Sequence, residues 1–330
     1  MKRILAFFLA LGTAAGLLTG CGHAPAGGRA ADAPRLRIVA TIFPAYDWVR
    51  QILGEAAEGA ELTLLLDSGV DLHSYQPSAE DLARISGCDL FVCVGGESDG
   101  WVDDALRQAD APGRKVIRLL DLLEDSALPE ECKPGMQPEP AAEGDEAAGE
   151  GPERDEHVWL SLKNARFFCE RLADALAQLD TARGDEYRAN AAAYAEALDA
   201  LDGEYRQAVD GAAVRTLLFA DRFPFRYLTE DYGLDYYAAF AGCSAESEAS
   251  FETVSFLARK ADELRLTCVL TIEGGGHGLA ETVVRSTRAK DLAVLTLDSM
   301  QGTTARDVEN GATYLAVMEQ NLRVLRQALR

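Results

Sequence analysis

Leu66-Asp67-Ser68-Gly69-Val70-Asp71-Leu72-His73-Ser74-Tyr75-Gln76-Pro77-Ser78 is the stretch on which the reading turns. A mostly apolar run, Leu62 to Leu66, ends in turn residues. A lone His follows, and Pro77-Ser78 then opens a helix-like segment, Ala79 to Ile85. Strand, loop and helix in this order form the unit of an α/β lobe, and such lobes bind ligands at the carboxyl ends of their strands. His73 therefore stands where a neutral imidazole can ligate a metal.

Around this stretch, residues 35–132 alternate strand and helix signals. Leu36 to Thr41, Leu62 to Leu66, Leu90 to Val94 and Lys115 to Arg118 read as strands. Tyr46 to Leu53 and Trp101 to Ala109 have helical spacing. Near-continuous apolar strands imply a parallel sheet covered on both faces. Residues 133–156 break the pattern with a Pro, Ala, Gly and acidic tract that reads as a disordered, solvated loop and, at most, a weak collector of cations. Residues 157–183 finish this lobe, with a helix expected from Leu162 to Leu179.

Residues 184–210 read as a connecting helix about 40 Å long at ~1.5 Å per residue. Residues 211–330 repeat the α/β theme. The expected strands are Thr216 to Phe219, Leu234 to Phe240, Cys268 to Ile272 and Ala293 to Leu297. The expected helices are Phe223 to Asp231, Ser250 to Leu264, Leu279 to Ala289 and Asn310 to Leu329. The fold class expected is α/β: two doubly wound parallel-sheet lobes joined by a long helix, with the site in the cleft between them.

The chain has 330 residues and a formal net charge of −22. That balance argues against nucleic acid, whose phosphates need a basic face, and suits a protein that attracts cations. Lys2-Arg3 followed by an apolar Ile4 to Leu18 reads as a signal peptide over residues 1–20. Leu18-Thr19-Gly20-Cys21 resembles the bacterial lipobox, which makes Cys21 the lipidated first residue of an exported chain, anchored to the outer face of the cell membrane. Residues 21–34 are rich in Ala, Gly and Pro and read as a flexible tether. Of the seven cysteines none forms a CxxC pair, which excludes a thiolate zinc knuckle of that type; Cys88, Cys93, Cys169 and Cys268 lie in apolar contexts and read as core.

Three further segments offer metal-type groups near strand ends. His157 restarts ordered structure after the acidic tract, Asp221 follows Leu217-Leu218-Phe219-Ala220, and Asp298 follows Val294 to Leu297. With His73 they make two imidazoles and two carboxylates, a closed set for a divalent first-row ion. Zinc is expected first, for the imidazoles; manganese second, for the carboxylates. Glu273 at a strand end is a supporting candidate. His277, in Gly274-Gly275-Gly276-His277-Gly278, is read first as an exposed loop residue and second as a ligand carried by a mobile loop. Cys243 is a soft donor ranked below both.

Over residues 36 to about 328 the chain resembles the zinc/manganese solute-binding lipoproteins of bacterial ABC importers. The resemblance rests on Val39-Ala40-Thr41-Ile42-Phe43-Pro44, on Gly69 to Ser78, and on His157-Val158-Trp159-Leu160-Ser161-Leu162-Lys163-Asn164-Ala165. The family's GxDPH-like and HxWLDPxNA-like loops are matched except at Leu72, Ser161 and Leu162. The resemblance implies two lobes on a rigid helix, His73 and His157 as ligands, Asp298 as an acidic fourth ligand and Glu273 in support. The family's third ligand, a His or Glu, falls on Arg222 counted back from Tyr232-Gly233-Leu234 and on Asp221 counted forward from the strand. A cation does not ligate a cation, so Asp221 is preferred.

The expected function is extracytoplasmic capture of the metal and its delivery to an ABC permease by a monomeric, lipid-anchored protein. The chain is not expected to be an enzyme: it has no HExxH pair and no general base evident beside the histidines. The rivals are a zinc hydrolase, a binder of a metal chelate or small organic solute, and an added role in cell adhesion.

Overall fold

The computed structural model describes residues 35–108, 111, 113–137, 153–244 and 248–330. The signal segment, Cys21, the tether and residues 138–152 of the acidic tract lie outside them.

Arg37–Ala40 (β1), Glu61–Leu64 (β2), Leu90–Cys93 (β3) and Lys115–Arg118 (β4) form a parallel sheet in the order β2-β1-β3-β4. Thr216–Arg222 (β5), Asp235–Phe240 (β6), Cys268–Ile272 (β7) and Ala293–Leu297 (β8) form a second parallel sheet in the order β6-β5-β7-β8. The two orders are the same doubly wound pattern used twice. β3 and β7 are buried along their whole length, as strands covered on both faces must be.

The helices of the first half are Phe43–Leu53 (α1), Ala79–Gly87 (α2), Trp101–Gln108 (α3), Leu119–Leu122 (α4), Leu162–Leu179 (α5) and Gly184–Asp210 (α6). Those of the second are Arg226–Tyr232 (α7), Phe251–Leu264 (α8), Gly278–Ser286 (α9), Ala305–Glu309 (α10) and Tyr314–Ala328 (α11). α6 runs from one lobe to the other. Near its start Asn190 donates to the Ile52 carbonyl of α1, and near its end the Tyr205 hydroxyl donates to the Met318 carbonyl of α11.

Several boundaries differ from expectation, three of them for a visible physical reason. β5 continues past Phe219 to Arg222, because β6 extends to Phe240 and gives it a partner; the register shifts between Phe219 and Arg222. A bulge of this kind re-aims side chains at a strand end. Asp221 and Arg222 therefore sit on the strand and not on a loop. α7 starts at Arg226 and not at Phe223: Pro224 disfavours helical backbone before it, and Phe223 stacks on Tyr236 with ring centroids 3.6 Å apart. The terminal helix starts at Tyr314 and not at Asn310: a separate short helix, α10, ends at Glu309, Gly311 (φ +92°) turns the chain, and the Thr313 side chain caps α11 by accepting from the Ala316 N–H.

One apolar core runs through both lobes. Trp48 of α1 packs against Phe168 of α5 and Tyr314 of α11. At its edge Asp47, fully buried, binds Arg50 and accepts the Tyr314 N–H at 2.8 Å, while Arg50 donates to the Ala312 carbonyl. A smaller cluster, Leu218, Val254, Leu257, Val269 and Val283 among others, fills the space under α8 and α9. Cys88, Cys93, Cys169 and Cys268 are free and buried, as expected of core residues.

Replacing Asp47 by Ala orphans the buried Tyr314 N–H and one face of Arg50, and is expected to lower unfolding free energy by about 2–3 kcal/mol. Urea denaturation followed by far-UV circular dichroism measures it; an unchanged midpoint contradicts the role given to Asp47.

Candidate metal centre

Most of the groups of interest stand at or just beyond the carboxyl ends of the strands, where the two sheets face each other. His73 follows β2 on a 3₁₀ turn, Leu72–Ser74, which Asp71 caps by accepting the His73 N–H at 3.0 Å. Leu72 is buried and anchors the turn. His157 is fully buried and precedes a second 3₁₀ turn, Val158–Leu160. Beyond that turn Ser161 caps α5 by accepting from the Asn164 N–H, so this departure from the HxWLDPxNA-like pattern keeps the cap's chemistry.

The two rings meet. His73 Nε2 lies 3.3 Å from His157 Nε2. The far nitrogen of each ring has its own partner. His73 Nδ1 is 2.6 Å from Ser98 Oγ, and His157 Nδ1 is 3.1 Å from Asp155 Oδ1. Asp155 also accepts the His157 backbone N–H at 2.9 Å. Protons held at both Nδ1 atoms leave both Nε2 lone pairs facing one point. Two Zn–N bonds of about 2.05 Å at the tetrahedral angle span about 3.3 Å. The observed separation is that edge.

Burial, followed by the neighbouring His157, pulls the His73 pKa down to about 3, so the ring is neutral at ordinary pH. Glu156 is buried alongside. Its Oε1 accepts the Ser98 N–H; its Oε2 has no hydrogen-bond partner and lies 3.8 Å from His73 Nδ1. Burial raises its pKa.

Among the described residues, the one group of three or more His, Cys, Asp and Glu donors lying mutually within 4.8 Å is His73, His157 and Cys243. Asp221 is not in it. Its two oxygens accept the Arg222 and Ile272 N–H groups, and burial raises its pKa. Nor is Asp298, whose Oδ1 accepts the Met300 N–H; burial and then Glu273 push its pKa up to about 6. Glu273 is spent on the loop after β8, accepting from the Ser299, Gln301 and Gly302 N–H groups and the Ser299 hydroxyl. His277 is exposed at the head of α9. Arg222 crosses between the lobes to Asp71 Oδ2 at 2.5 Å. Asp71, Asp221, Arg222, Ser244 and Glu273 line a cavity of about 420 Å³ beside the histidine pair.

The sequence reading missed Ser98, Asp155 and Glu156. The last two were counted with the solvated acidic tract; both are buried, which corrects that boundary. Their position immediately before His157 was the available signal.

Two parallel-sheet lobes meet beside paired imidazoles. The chain belongs to the family described as "Zinc-uptake complex component A periplasmic" (ZnuA), which matches residues 38–328. That is a family of solute-binding proteins for metal uptake through ABC transporters, not of enzymes. The chain is 31% identical over 296 residues to the zinc-binding lipoprotein AdcA of Streptococcus pneumoniae, covering 89% of this chain and 56% of that protein. It thus spans little more than half the length of its AdcA relatives. It is 26% identical to the high-affinity zinc uptake system protein ZnuA of Bacillus subtilis, covering 95% of this chain and 94% of the other. The crystal structure of the Zn(II)-bound ZnuA-like domain of S. pneumoniae AdcA superposes with a TM-score of 0.69 at 28% identity, covering 89% of this chain and 99% of that one.

Ser98→Ala and Asp155→Ala each free one imidazole to rotate and change tautomer. Each is expected to weaken zinc binding by about 10–100-fold, read by competition with a chromophoric chelator. Equal affinity in both variants contradicts the orienting role.

Proposed function

We propose that this protein captures zinc outside the cytoplasmic membrane and delivers it to an ABC importer. The observation that carries the reading is the pair of Nε2 atoms 3.3 Å apart, each with its tautomer fixed from behind. The cleft's carboxylates favour approach of a cation. The AdcA and ZnuA relatives, by name zinc-binding and zinc-uptake proteins, support the choice of metal. Manganese is the alternative cargo. Asp221 and Asp298, as they stand, draw the ion in and do not hold it; their promotion to ligands requires loop movement. Release follows when docking to the permease withdraws one donor.

The chain acts as an exported monomer held at the membrane by a lipid on Cys21. No helix among the described residues is long and apolar enough to cross a membrane.

His73→Ala or His157→Ala is expected to abolish stoichiometric zinc uptake at micromolar protein, measured by equilibrium dialysis; retention of full stoichiometry rejects the site. Competitive titration favours zinc whatever the cargo, so metal content of protein recovered from its own cells decides between zinc and manganese. Cys21→Ser is expected to move the protein from the membrane fraction to the soluble fraction. Unchanged partitioning removes the anchor from the reading.

A further inference from the structure

We propose that Cys243 is the third ligand, making the centre a two-imidazole, one-thiolate site that selects a thiophilic divalent ion, zinc or cadmium, over manganese. This deepens the capture reading and rests on it.

β5 brings no donor to the histidine pair. At its end Asp221 is turned onto backbone N–H groups of β5 and β7, and Arg222 points across the cleft to Asp71. A guanidinium there repels a cation. The missing donor comes from the neighbouring strand. Beyond β6 the chain passes through Gly242 to Cys243, whose sulfur lies within 4.8 Å of a donor nitrogen of each imidazole. An N–Zn–S edge built from bonds of about 2.05 and 2.3 Å is about 3.6 Å, so a small inward movement of the sulfur closes the site.

The loop is built to hold that position. The Cys243 N–H donates to Glu130 Oε1 at 3.1 Å. A Cβ at Gly242 would lie 2.9 Å from the Phe223 carbonyl and 3.0 Å from His157 Cε1, so only glycine lets the backbone lie against the ring. On loading, the S–H bond breaks, the sulfur's electron pair forms the metal–sulfur bond, and one proton leaves to water. No electrons are exchanged. Thiolate prefers soft and borderline ions, whereas manganese prefers oxygen donors.

Cobalt(II) is the probe, because it adopts zinc's geometry and reports a thiolate ligand as a near-ultraviolet charge-transfer band. The reduced full-length protein is titrated with cobalt, then zinc, then manganese. The wild type is expected to show the band. Cys243→Ser is expected to keep cobalt's visible bands, lose the near-ultraviolet one, and bind zinc more weakly by more than the roughly 10–100-fold that loss of a supporting partner costs. Its preference for zinc over manganese should narrow. A cobalt-loaded wild type without the band overturns the proposal, even if the variant fails to fold. So does a Cys243→Ser protein with the band and zinc affinity intact. Either outcome leaves zinc capture standing if His73→Ala still abolishes uptake. A wild type that takes up neither cobalt nor zinc overturns both.

Discussion

Asp47 is a fully buried carboxylate on α1 that accepts the first N–H of α11, and this one hydrogen bond ties the first lobe to the last helix of the chain. Around it, Trp48, Phe168 and Tyr314 form an aromatic centre common to both lobes. That joint is one of several that set distances across the cleft. His73 and His157 come from the first lobe and Cys243 from the second, so their approach to within 4.8 Å requires the sheets to keep their carboxyl ends in fixed opposition. The buried Trp159 indole, which donates to the Ser299 carbonyl, makes a second tie between the halves.

The site carries its charge unevenly. The two imidazoles face each other through their Nε2 atoms, while Asp155 and Glu156 stand behind them, buried. On the open side Arg222 neutralises Asp71 and excludes one direction of ligation. The arrangement places negative charge behind the rings and leaves nitrogen and sulfur facing one another. A harder ion finds no carboxylate oxygen there in the geometry described.

Much of the fold was legible because period and punctuation agree. Leu162–Leu179, Cys268–Ile272 and Ala293–Leu297 fall where apolar spacing put them. The errors came where a partner elsewhere in space decided the outcome. β5 runs on because β6 is there to pair with it, and α7 is shortened because Phe223 is drawn into a stack. At the site, His73 and His157 were visible from their loops. Asp155 and Glu156 were hidden because composition averages over a window, and a buried acid beside a solvated tract looks like more tract. Cys243 was seen but could not be weighed, since nothing along one dimension places a sulfur beside imidazoles 86 and 170 positions away.

In the proposed capture reading, the shared aromatic centre bears on how a permease would distinguish a full receptor from an empty one. Binding proteins whose lobes meet only through strand linkers can snap shut, and their change of outline announces the cargo. Here the lobes share one apolar core through α1, α5, α6 and α11, which opposes a large change of outline. In that reading the signal would be written locally, in the short turn bearing His73 and the loop bearing Cys243. In the proposed capture reading, a transporter would have the stiffness of those two loops to read.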